Sequence, residues 1–306
     1  MTSTASRRGI PAHLSGLVDD AAMFPPSSTP LDEALAAHVE HQSGWYADLV
    51  GPFLCPDLKL PDLAGALGSL AGHSPDATPL PVGLIVTGGA GAIGPALTWA
   101  GRDERIRLAG VEIALRDEPD LARNVARIAL AFDAAGLDED VPAAIEIPRT
   151  EGWQGALDAL AETGHRAKLR TGGVSADAFP TEREVAAFIL ACLDREVAFK
   201  CTAGLHHAVR TTAPGDGPGG STTADQPLEQ HGFLNILLAT RRALDGAGAG
   251  ALVQVLAERD TAAVSDQVRA CGPAGLASSR RWFTSFGSCS VSLPLDGLLR
   301  LGFLQD

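Results

Sequence analysis

AKLRTGGVSADAFPTEREVAAFILACLDREVAFKCTAG, residues 167–204, decides the fold. It opens on a short run ended by Gly172 and Gly173 and closes on a second run, VAFKCTAG, ended by Gly204. Both read as β-strands bounded by glycine. Between them Thr181 and Glu184 have the spacing of a capping box, ahead of Val185, Phe188, Ile189 and Cys192, which recur on one helical face. Strand, helix and strand in so short a span form a βαβ unit, which predicts parallel strands with the helix packed outside.

The same alternation extends along the chain. Further candidate strands are SGLVDDAAMF (15–24), ADLVGPFLCP (47–56), PVGLIVTGG (81–89), LAGVEIAL (108–115), PAAIEIP (142–148) and WFTSFGSCS (282–290). With the two strands of the opening stretch they make eight, and eight β-α units predict closure into one TIM (β/α)8 barrel. One helix is expected over Pro30–Glu40, capped by Thr29 with Pro30 in its first turn, and another over Leu121–Ala135, ended near Gly136. Between the seventh and eighth strands TTAPGDGPGGSTTADQPLEQ (211–230) lacks periodicity and reads as a long loop at the barrel mouth, a lid or an insertion. Two extra helices, HGFLNILLATRRAL (231–244) and ALVQVLAERDTAAV (251–264), are expected after it. Residues 1–10 are expected to be disordered and 11–306 to form a single domain, because no linker separates two composition regimes.

Composition narrows the function. A 45% hydrophobic fraction in 306 residues supports a sizeable core, and the formal net charge of −13 argues against a nucleic-acid or anionic-membrane partner. No run approaches the length of a membrane span, and MTSTASRRGIPAH at the start has no apolar stretch of a signal peptide behind it. Five cysteines without C-x-x-C spacing point to reduced thiols and a cytoplasmic protein. Abundant Ala, Gly and Arg beside scarce Lys is the pattern of a GC-rich genome and of bacterial-type metabolism.

That scarcity is informative at two positions. The lysines are Lys59, in a proline-bounded polar stretch, and Lys168 and Lys200, inside strands six and seven. Burial in a strand lowers a lysine pKa, and a neutral amine is a nucleophile that arginine cannot supply. Alternation along the strands splits each into two sets, with the bulky apolar set facing the helices. The other set then sends Glu112, Glu146, Lys168, Arg170 and Lys200 towards a common axis.

These residues support a Schiff-base lyase or aldolase. Lys168 attacks a small carbonyl substrate, Lys200 lowers its pKa by repulsion, Glu112 or Glu146 moves protons, and Arg170 holds a carboxylate or phosphate. No cofactor is needed beyond the covalent lysine adduct. An alternative is a metal-dependent lyase or isomerase in the same barrel, with a divalent cation held by members of the set Asp19, Asp20, Glu112, Glu146, His206, His207 and His231. A third reading takes VTGGAGAIG (86–94), with Gly89, Gly91 and Gly94, as the turn of an NAD(P)-dependent reductase. Against it, the Tyr-x-x-x-Lys pair of the short-chain dehydrogenases has no match downstream, since the one tyrosine, Tyr46, lies upstream. A glycine-rich barrel loop is the simpler account.

The stretch from Ala167 to Arg210 resembles the part of deoxyribose-phosphate aldolases and related class I aldolases that carries two active-site lysines. The resemblance implies a two-lysine TIM barrel in which Lys168 forms the Schiff base and Lys200 tunes it. GLVDDAAMFPPSSTPLDEAL looks like the family's first strand and helix, with Asp19 or Asp20 at its acidic position. Cys55 falls near a second-strand cysteine, and Glu112 near a fourth-strand acid. Thr202, His206 and His207 follow the second lysine as substrate-binding candidates, and Ser288 and Ser290 on the last strand are placed to meet an anion, as in related barrels. Two departures stand out: Arg170 occupies a position where the family has a smaller residue, and the fourth-strand acid is Glu. Barrels of this type commonly form homodimers.

Overall fold

A computed structural model describes residues 9–69, 78–116, 119–173, 175–213 and 228–305. Eight parallel strands close into a barrel in the order β1-β10-β7-β6-β5-β4-β3-β2. Their ranges are β1 Val18–Asp20, β2 Val50–Pro56, β3 Leu80–Val86, β4 Ile106–Ala114, β5 Ala143–Glu146, β6 Arg166–Arg170, β7 Phe199–Thr202 and β10 Phe283–Ser288. The helices in chain order are α1 Leu31–Ser43, α2 Leu60–Ser69, α3 Ile93–Ala100, α4 Leu121–Ala134, α5 Trp153–Ala161, α6 Glu182–Asp194, α7 Phe233–Leu244, α8 Ala249–Ala257, α9 Thr261–Arg280 and α10 Ser292–Arg300. Among the described residues no helix is long and apolar enough to cross a membrane.

Each of the eight candidate runs holds one barrel strand. The apolar set of each strand packs on the helix layer. Phe199 of β7 meets Phe188 of α6 edge-on at 5.7 Å between ring centroids, and Phe286 of β10 stacks on Phe233 of α7 at 5.0 Å. Leu169, Cys201, Ile145 and Val111 are buried in the same core. The capping box forms as read: Thr181 Oγ1 accepts from Glu184 N, and Glu184 Oε2 accepts from Thr181 N at 2.7 Å.

Three local expectations differ. Thr29 does not cap α1; its hydroxyl pairs with Ser27 Oγ at 2.8 Å, and Pro30 takes the cap position without a side-chain bond. The span 251–264 is not one helix, because Asp260 Oδ1 accepts from Ala262 N at 2.9 Å and starts α9 afresh. Three helices therefore precede β10 after residue 230 where two were expected. The loop 211–230 has paired ends: β8 Thr211–Ala213 and β9 Leu228–Gln230 form an antiparallel ribbon. Its middle, 214–227, lies outside the described residues, as do residues 1–8 of the stretch 1–10 expected to be disordered; residues 9 and 10 of that stretch are described, and Ile10 packs against the core. VTGGAGAIG forms the turn from β3 to α3 of the barrel, with Gly89 at φ 75°.

Candidate active site

Register brings the charged residues together. In the β6–β7 pair Lys168 stands directly opposite Lys200, and in the β5–β6 pair Glu146 stands opposite Lys168. Adjacent strands lie about 4.8 Å apart, so the two amines rise side by side from the barrel wall. Glu112 reaches across from β4 and bridges them. Its Oε2 is 2.6 Å from Lys168 Nζ, and its Oε1 accepts a close hydrogen bond from Lys200 Nζ. Lys200 Nζ also donates to Asp19 Oδ2 at 2.5 Å, and Ser285 Oγ donates to the same oxygen at 2.7 Å. On the other side Lys168 Nζ is 3.1 Å from Glu146 Oε2, while Arg170 Nε donates to Glu146 Oε1 at 2.8 Å. The result is a chain of alternating sign: Asp19, Lys200, Glu112, Lys168, Glu146, Arg170.

The chain climbs through the barrel. A cavity of about 540 Å³ opens at the C-terminal ends of the strands, lined by Lys168, Glu112, Glu146, Arg170, Thr202 and His206 among others. Lys200 and Asp19 line instead a smaller cavity of about 150 Å³ at the N-terminal end, together with Arg166 and Ser285. Lys168 is only 5% exposed, yet it is the lysine that faces the larger cavity. Lys200 supports it from beneath through Glu112. The apolar part of the lining comes from Phe24, Leu54, Ile85 and Leu115.

The electrostatics correct one expectation. Burial alone would lower the Lys168 pKa, and Lys200 adds to that. The carboxylates of Glu112 and Glu146 outweigh both, so Lys168 stands above the ordinary lysine value. Lys200 is raised as well: burial opposes its charge, but Asp19 and Glu112 hold it as an ammonium. For Glu112 burial again works against ionisation, and the two ammoniums nonetheless bring its pKa down to about 2. Alternation of sign, absent from a reading of the lysines alone, reverses the shift.

Other sequence candidates lie elsewhere. Asp20, next to inward-pointing Asp19, accepts instead from Ala22 N and pairs with His38 Nδ1 of α1 at 2.9 Å. His207 is not among the residues lining the larger cavity, whereas its neighbour His206 is. Ser288 Oγ donates to Ser290 O, and Ser290 Oγ accepts from Leu293 N at the start of α10, so both hydroxyls serve the turn after β10. Cys55 is buried outside the cavity lining, its thiol pushed up to about 12 chiefly by burial. His231 sits between Arg210 and the carbonyl of Pro180. Among the described residues no three His, Cys, Asp or Glu side chains form a group that could hold a metal ion.

Arg116 and Cys289 are among the cavity residues that were missed. Arg116 lies past the end of β4 in the same alternating set as Glu112, and Cys289 follows Gly287 in the same way beyond β10. Extending the alternation past the strand ends would have found both. No protein-family model matches the chain, and no curated protein matches it.

Proposed function

We propose that the chain is a Schiff-base-forming lyase of the class I aldolase type, acting on a small carbonyl-containing, anionic metabolite. The observation that supports this best is the Lys168 amine at the floor of the cavity that opens at the C-terminal ends of the strands, with a second lysine beneath it sharing one carboxylate. Lys168 in its neutral form adds to the carbonyl carbon, and loss of water leaves an iminium. The iminium then receives the electron pair of the adjacent carbon–carbon bond as that bond breaks. Arg170, 49% exposed, and Arg116 stand at the rim, where guanidinium groups suit a carboxylate on the substrate. The apolar part of the lining suits a compact carbon skeleton and keeps water from the iminium.

The test is reductive trapping. The protein is incubated with pyruvate, acetaldehyde or acetone, treated with borohydride and mapped by peptide mass. A stable adduct on Lys168, lost in Lys168→Ala, is the expected result. An adduct that persists in Lys168→Ala, or no adduct from any probe, would overturn the proposal.

A further inference from the structure

Bond cleavage of this kind needs a group that takes a proton from the substrate hydroxyl and later returns one to carbon. The carboxylates are poorly placed for it. Glu112 is clamped between two ammoniums, and Glu146 between Lys168 and Arg170. Lys168 itself is committed to the iminium. Among the described residues lining the larger cavity, one neutral imidazole remains, that of His206.

The β7 loop sets its position. Thr171 Oγ1 donates to Ala203 O at 2.6 Å, which ties the loop after β7 to the end of β6. Gly172 and Gly204 meet backbone to backbone, since a Cβ on Gly172 would lie 2.6 Å from Gly204 Cα. His206 is thereby seated beside the cavity at 6% exposure. Its Nδ1 lies 3.4 Å from Ser288 Oγ, and the thiol of Cys289 lies 3.8 Å from Nδ1 and 4.0 Å from Nε2.

The tautomer follows from the serine. Ser288 spends its hydroxyl proton on Ser290 O at 2.7 Å, so towards His206 its oxygen can only accept. A hydrogen bond from His206 to Ser288 thus places the ring proton on Nδ1, and Nε2 then keeps its lone pair, with the Cys289 thiol 4.0 Å away. Burial, helped by the charge of His207, pushes the imidazole pKa down to about 4, which keeps it neutral near pH 7.

Resting on the Schiff-base reading, we infer that His206 is the catalytic base and acid of the lysine adduct, acting through Nε2. In the cleavage direction Nε2 takes the proton of the β-hydroxyl. The O–H electrons form the aldehyde C=O, the Cα–Cβ pair moves to make an enamine, and the iminium nitrogen becomes neutral. The imidazolium then returns its proton to Cα, the iminium is restored, and water releases the second carbonyl product. Protons and electrons balance with no further reactant.

The half-reaction can be read without knowing the natural substrate. In D2O and without borohydride, a carbonyl probe bound to Lys168 as the reversible, unreduced iminium (pyruvate, acetaldehyde or acetone) should exchange its α-hydrogens, followed by proton NMR. His206→Gln is expected to slow that exchange by about 100-fold or more while trapping on Lys168 persists. In His206→Ala, free imidazole should restore exchange. Exchange at the wild-type rate in His206→Gln would overturn the assignment while leaving Lys168 in place. Loss of trapping in both variants, with no rescue by imidazole, would make His206 a support of the fold and overturn it too. Failure of the wild-type protein to form any adduct would sink the Schiff-base reading and this one with it.

Discussion

Lys168 is held as an ammonium by two carboxylates, and one of them can be neutralised without removing the proposed nucleophile. Glu146→Gln deletes one source of the upward shift, so the Lys168 pKa should fall. At a fixed pH below that pKa a larger fraction of the amine is then neutral, and trapping accelerates roughly tenfold per pKa unit. The measurement is the pH profile of borohydride trapping with an excess of probe. A midpoint that stays put or moves upward in Glu146→Gln would contradict the assigned role of Glu146. At this scale the sequence was legible where alternation applied: Glu112, Glu146, Lys168 and Lys200 all point inward as their strand parity requires. It misled where a charge depended on its partners. No spacing rule states that Glu112 lies between both lysines, and that arrangement sets the sign of their shifts.

The loops after β6 and β7 act as one element. Gly204 has φ 72°, and a Cβ there would lie 2.8 Å from Thr171 O and 2.9 Å from Gly172 Cα. Gly204→Ala combines left-handed strain with a backbone clash, and should cost at least about 1–2 kcal/mol in denaturant unfolding. Because the displaced segment carries Ala203 and His206, α-hydrogen exchange should fall further than trapping does. Equal losses in both would mean that the loop positions Lys168 and not His206. Strands and their glycine stops were readable because period-two alternation and punctuation are local signals. The same holds for α6, whose cap and box lie within four residues. The Asp260 cap was hidden inside an apolar-periodic run, and Thr29 met every local rule for a cap yet found Ser27 first.

At the scale of the molecule, the buried ions tie stability to acidity. The folded pKa of Glu112 is about 2 against an ordinary 4.5, so its contribution is fully present above pH 4.5 and is lost as the pH falls towards 2. Denaturant midpoints should decline over that window, and Glu112→Gln should flatten the decline. The variant should also be less stable near neutrality by about 3–5 kcal/mol, because two buried ammoniums lose their shared partner. An unchanged acid slope in Glu112→Gln would assign acid sensitivity to other carboxylates. The closed barrel was legible from eight repeats, whereas the layering of two cavities was not. Which lysine faces which cavity depends on the height of each strand in the ring, and that is fixed by register between segments far apart in sequence.

The alternating ladder from Asp19 to Arg170 has a consequence for the proposed chemistry. An iminium bears the same single positive charge as the ammonium it replaces, at almost the same point in space. Glu112 and Glu146 already face that cation; the iminium keeps one of the ammonium's three N–H groups, so it can donate to one carboxylate while the other remains as a counter-charge. In the proposed chemistry the resting site thus resembles, in its electrostatics, the middle of the reaction cycle. The fleeting species is the uncharged amine, and the interior is built around the states that last.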